Sequence, residues 1–199
     1  MSAGANSLVI VAFGTSLTAR GGWQAALETA VQSCLGHEVK VISVAKPGAN
    51  SDWAVDNIRS VIACEPDVVV VEFSINDASL LRGVSRDKSR ANVSQIIAEL
   101  RAYRGNVDVV LLATSPAWGW RGWVRPMLDR YYDQLAAIAA EKDVGFVDLR
   151  PAWQKDCKAA IPDGLHPDPV TFGAILSPAV ANAICKVRTG VRASAGDLL

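Results

Sequence analysis

Short apolar runs alternate along the chain with longer segments of helical period. The runs are Ser7–Phe13, Glu38–Val44, Asp67–Phe73, Val107–Ala113 and Val144–Leu149, each the length of one strand. Asp67–Phe73 reads DVVVVEF, an almost unbroken β-branched stretch and the clearest strand signal. Between and after the runs, Trp23–Leu35, Asp52–Cys64, Asp87–Tyr103, Arg125–Lys142 and Pro169–Val187 carry apolar positions three and four apart and read as helices. Ile96, Ile97 and Leu100 share one face of the third of these. Pro178 admits a kink early in the last.

Strands that alternate with helices predict a parallel sheet, because parallel neighbours need a crossover of helix length. Apolar strands without in–out alternation predict a sheet covered on both faces. The expected fold is therefore α/β, a three-layer α/β/α sandwich. Its five-stranded parallel sheet is expected in the flavodoxin-like order 2-1-3-4-5, with right-handed crossovers. No internal repeat or linker divides the chain. Residues 1–190 are expected to form a single domain, and 191–199, small and polar, to fray.

Half of the 199 residues are hydrophobic, enough for a sizeable core, and 20 basic residues balance 20 acidic ones. That balance argues against nucleic acid as a partner, since phosphate neutralisation needs a basic stripe. No polybasic or basic amphipathic segment points to a membrane surface. The opening MSAGANSLVIVAF lacks a charged leader, so a cytoplasmic location is expected. Cys34, Cys64, Cys157 and Cys185 form no C-x-x-C pair and have no histidine cluster beside them. They are expected to be free thiols, three of them buried on helices, with no zinc site.

In an open α/β sheet, ligands bind beyond the carboxyl ends of the strands. The segments there are Gly14-Thr15-Ser16-Leu17-Thr18, Lys46–Ser51, Ser74-Ile75-Asn76-Asp77, the Trp-rich Thr114–Trp123, and Asp163-Gly164-Leu165-His166-Pro167. A serine hydroxyl needs a base, and the base needs an orienting group. Of the two histidines, His37 enters the second strand at the far edge and is expected to be an exposed loop residue. His166 lies on the correct edge with Asp163 three residues before it, close enough to accept from one ring nitrogen while the other faces Ser16. Asp77 is expected to bond local backbone in a turn.

These segments, in this order, resemble the SGNH (GDSL-type) hydrolases. Gly14-Thr15-Ser16-Leu17-Thr18 resembles the family's nucleophile block, and Asp163-x-x-His166 its Asp-x-x-His block. Gly48 and Asn76 stand where the second and third blocks place a backbone donor and an amide donor. The chain departs from the pattern at Thr15, where Asp is usual, at Ser74, where Gly is usual, and at Ser43 and Ala45. The resemblance implies a serine esterase with Ser16, Asp163 and His166 as catalytic triad. It implies an oxyanion hole formed by Ser16, Gly48 and Asn76, and no cofactor or metal.

Trp118, Trp120, Trp123 and Arg121 crowd one loop, and alternate spacing would send Trp118 and Trp120 the same way in an extended segment. Trp118, Trp120 and Trp123, with Thr15, are the candidate substrate-binding residues. With no long apolar insertion to line a tunnel, a short acyl group is expected, acetyl first, on a small-molecule or carbohydrate ester. An acyltransferase, thioesterase or lysophospholipase with the same triad remains open. So does a flavodoxin-like binding module without catalysis, although neither Gly-rich phosphate-binding pattern is present.

Overall fold

A computed structural model describes residues 7–153 and 157–189. The expected frayed tail, 191–199, lies outside the described residues. Five parallel strands form one sheet: β1 (Leu8–Gly14), β2 (Val39–Ala45), β3 (Val68–Glu72), β4 (Asp108–Ala113) and β5 (Gly145–Asp148), in the order 2-1-3-4-5. Each falls within two residues of its apolar run. The inner strands are covered on both faces, and Val68–Glu72 is buried at every position. The edge strand β2 is buried only at Val39.

The helices are α1 (Ser16–Ala19), α2 (Gln24–Leu35), α3 (Ser51–Ile62), α4 (Ser74–Asp77), α5 (Arg86–Tyr103), α6 (Gly119–Trp123), α7 (Leu128–Lys142) and α8 (Pro169–Thr189), with a 3-10 turn at Arg150–Ala152. The five long ones match the helical periodicity. Three are started by side-chain caps: Asn50 accepts from the Trp53 N–H ahead of α3, Ser85 from the Lys88 N–H ahead of α5, and Asp168 from the Thr171 N–H ahead of α8. The short helices α1, α4 and α6 were not expected. Four or five residues hold too little periodicity to be read. α8 is long and apolar enough to cross a membrane by length and composition alone. Here it packs on α2 and buries Phe172, Leu176, Val180 and Ile184.

The cysteine expectation needs correction. Cys34 and Cys185 are joined in a disulfide, with 6.5 Å between their Cα atoms and 151 residues between them in sequence. It ties the end of α2 to α8, which pack together. Cys64 and Cys157 are free but only partly buried. Sequence distance hid the pairing, because only the docking of two helices brings the thiols together. Closing so long a loop restricts the unfolded chain, so reduction is expected to lower stability by about 2–5 kcal/mol. Denaturant midpoints with and without reductant would measure this. An unchanged midpoint would contradict a structural role for the bond.

This strand order creates the cleft. The chain leaves β1 for β2 on one side and returns to β3 on the other, so the loops after β1 and β3 diverge at their carboxyl ends. Ser16 follows β1 and Asn76 follows β3.

Candidate active site

The loop after β1 is fixed from below. The Thr15 N–H donates to Glu72 Oε2 at 3.0 Å, and Thr15 Oγ1 donates to the same carboxylate at 2.9 Å. Thr18 Oγ1 adds a third hydrogen bond to Oε2. Thr15 also accepts from the Leu17 N–H and so caps α1. Its side chain is fully buried. The expectation that Thr15 contacts substrate is therefore corrected: it faces Glu72, and its role is to hold the turn that presents Ser16. Glu72 ends the DVVVVEF strand. A lone carboxylate closing an otherwise apolar buried run was the available signal for it, and it was missed.

Burial raises the Glu72 pKa from 4.5 to about 7, against the lowering effect of the bonds from Thr15 and Thr18. The folded protein thus binds this proton more tightly than the unfolded chain does. The associated stability is fully present below about pH 4.5 and is lost as pH rises to about 7, amounting to about 3 kcal/mol. Glu72→Gln keeps an acceptor for Thr15 but has no proton to lose. The stability difference between variant and wild type is expected to shift in the variant's favour from pH 5 to pH 8, read by denaturant midpoints. A difference independent of pH would contradict this account of Glu72.

Ser16 lies 2.8 Å, Oγ to Nε2, from His166, 150 positions away in sequence. His166 Nδ1 lies 2.7 Å from Asp163 Oδ2. Asp163 Oδ1 accepts from the backbone N–H groups of Leu165 and His166 at 3.0 and 2.7 Å. Burial would raise the Asp163 pKa, but the hydrogen bonds from His166 and Leu165 more than offset it, and the carboxyl is held well below its ordinary value. An ionised carboxylate can only accept, so Nδ1 carries the proton and Nε2 is left to accept from the Ser16 hydroxyl. Gly164 makes the turn possible. Its φ is +80°, and a β-carbon there would stand 2.5 Å from the Trp118 carbonyl oxygen.

Gly48 follows Pro47 in a turn closed by Ala49 N–H to Lys46 O at 3.0 Å. Its φ of +77° is the left-handed value that the third position of a type II turn requires. Asn76 is buried in α4, and its Nδ2 donates to Ala49 O at 2.7 Å, joining the second and third loops. One amide N–H remains. Arg125, not identified from sequence, sets the amide's orientation. Its Nε donates to Ile75 O at 2.6 Å and its Nη2 to Asn76 Oδ1 at 3.3 Å. The first turn of α1 leaves the Ser16 N–H without an intrahelical acceptor.

Asp77 is not the local turn-former expected. It is buried and accepts from the Ser51 N–H at 2.7 Å and from Ser89 Oγ at 2.6 Å, tying α4 to α3 and α5. Ser74 is buried at the start of α4. His37 is half buried, with Nδ1 at its neighbour Glu38 O, and takes no part in the site.

The tryptophans divide. Residues 119–123 form the helical turn α6, so Trp118 and Trp120 are not related by strand alternation. Trp118 is half buried, and its backbone N–H donates to Gly164 O at 2.9 Å, bracing the Asp163–His166 loop. Trp120 and Trp123, three apart on α6, are 59% and 82% exposed.

A model of the GDSL-like lipase/acylhydrolase family matches residues 12–170. A lipase/acylhydrolase from Enterococcus faecalis superposes with a TM-score of 0.75 at 25% identity, over 90% of this chain and 96% of that one. A catalytic mutant of an acetylxylan esterase from Geobacillus stearothermophilus gives 0.76 at 20% identity, over 92% and 96%. No curated protein matches the chain.

Proposed function

The chain belongs to the GDSL-like lipase/acylhydrolase family, and on that footing we propose that it is a serine esterase working through an acyl-serine intermediate. One observation carries the reading: the unbroken relay from Ser16 through His166 to Asp163. Ser16 Oγ attacks the ester carbonyl while His166 Nε2 takes its proton. Asp163 stabilises the imidazolium and holds its orientation. The negative charge that develops on the carbonyl oxygen meets the Ser16 and Gly48 N–H groups and the free N–H of Asn76, fixed in place before the reaction. His166 returns the proton to the leaving alcohol, and water repeats the sequence on the acyl-serine.

The preferred substrate in this proposal is a short-chain ester, acetyl first, on a carbohydrate. The exposed faces of Trp120 and Trp123 support the carbohydrate part, because sugar rings stack on aromatic planes. The fold shared with an acetylxylan esterase is compatible with it. The Cys34–Cys185 bridge fits an oxidising compartment better than a cytoplasmic one. A series of 4-nitrophenyl esters from acetate to palmitate tests the acyl preference. The highest kcat/KM is expected on acetate, and a maximum on the longest chain would overturn it.

A further inference from the structure

Three guanidinium groups border the proposed site, Arg82 and Arg125 on the oxyanion side and Arg121 beside Asp163. Arg82 lies over Gly48, with Nη2 2.8 Å from the place a β-carbon at Gly48 would occupy. Arg121 reaches from α6, with Nη2 3.7 Å from Asp163 Oδ2 and Cζ 5.0 Å from the Trp120 ring centroid. Its Nε is buried without a hydrogen-bond partner. Arg125 lies beneath, on Asn76. Burial lowers the Arg125 pKa, and the nearby charges of Arg121 and, less strongly, Arg82 add to that lowering.

The opposing charge is small. Among the described residues, Asp163 is the only carboxylate in ion-pair range of any of the three, and it is already engaged by His166. Glu72 is buried under the nucleophile loop and faces Thr15 and Thr18. Arg82 is exposed and has no ion pair among the described residues. Arg125 is explained by its three hydrogen bonds to the site's own frame. Arg82 and the unpartnered Nε of Arg121 are not explained in that way.

We infer that the site selects esters bearing a carboxylate near the scissile carbonyl, with Arg82 as the principal recognition group and Arg121 as its second. This rests on the esterase reading above and narrows its substrate class. A carbonyl held at Ser16 and Gly48 lies beside the Arg82 guanidinium, so a carboxylate a few bonds away on the substrate is within its reach. The planar guanidinium fork matches a carboxylate through two parallel hydrogen bonds, which a lysine could not supply. The carboxylate can belong to a dicarboxylic acyl group or to an acidic sugar that carries the ester.

Two matched pairs distinguish these sources. Monoethyl succinate against ethyl butyrate tests the acyl side. An O-acetylated methyl galacturonoside against the same acetylated methyl galactoside tests the alcohol side. Wild-type kcat/KM is expected to favour the charged member of at least one pair by about tenfold or more, a hydrogen bond to a charged group being worth at least that factor. Arg82→Gln, at an exposed position that does not threaten folding, should lower the charged-to-neutral ratio at least tenfold in the same pair, and added salt should lower it in wild type. Equal kcat/KM within both pairs, in an enzyme that turns the esters over, would overturn the inference. A ratio unchanged in Arg82→Gln would remove Arg82 from it. No turnover of any of the four esters would instead bring down the esterase reading itself, and this inference with it.

Discussion

Ser16→Ala is expected to reduce kcat on a 4-nitrophenyl ester by about a million-fold, and adding His166→Ala to it should cost almost nothing more. The two side chains act in one step across a 2.8 Å hydrogen bond. Without the hydroxyl there is no acyl acceptor for the imidazole to activate. Without the imidazole the hydroxyl keeps its proton. The losses therefore overlap rather than multiply, and the double variant should match either single one. The activity left over comes from binding and from the oxyanion donors, which both substitutions spare. Ser16 is only partly buried, and removing one oxygen atom leaves no large cavity, so the fold should persist. Steady-state kinetics on the two single variants and the double variant, with circular dichroism as a check on folding, supply the comparison. A double variant a further thousand-fold slower than either single one would show that the residues act independently, contrary to the relay.

Asp163→Asn is expected to cost about 10⁴-fold in kcat with KM little changed. The size of the loss follows from the tautomer. Asp163 is ionised and only accepts, so the proton of His166 stays on Nδ1. An asparagine amide can offer Nδ1 a donor instead. The ring then carries its proton on Nε2, which can no longer accept from Ser16. The backbone bonds from Leu165 and His166 end on Oδ1, which asparagine retains, so the loop conformation should survive. A loss of less than tenfold would mean that Asp163 serves only to shape the loop.

The fold was legible because its signals are local. The apolar runs mark each strand to within two residues, and Val68–Glu72 is buried along its whole length as an unalternating run predicts. The relay was legible for a topological reason. In a parallel sheet, the ends of all strands share one edge, so a serine after β1 and a histidine ahead of α8 can meet across 150 positions. The supporting shell was not. Thr15 bonds Glu72 57 positions away, Asn76 is oriented by Arg125 49 positions away, and Cys34 joins Cys185 at 151. Such pairs depend on which faces of packed elements come into contact, and no period along the chain encodes that. Asp77 shows the same limit. An Asp after a strand looks like a turn-former, yet its partners Ser51 and Ser89 lie on two other elements.

Thr15 also changes how the departures from the family pattern read. Where the family has Asp ahead of the nucleophile, this chain has a hydroxyl, and the carboxylate comes from Glu72 across the sheet. The turn is thereby braced by a buried carboxyl group whose pKa burial raises to about 7. Glu72 holds the residue that precedes Ser16, which is why the Glu72→Gln comparison bears on the site as well as on stability.

The most direct measurement is labelling of the intact protein with a fluorophosphonate probe, followed by peptide mapping. Such a probe captures a serine only where a base has activated it. Stoichiometric modification at Ser16, abolished in His166→Ala, is the result expected. A protein that stays unlabelled while folded, or that carries the label on a different serine, would contradict Ser16 as the nucleophile.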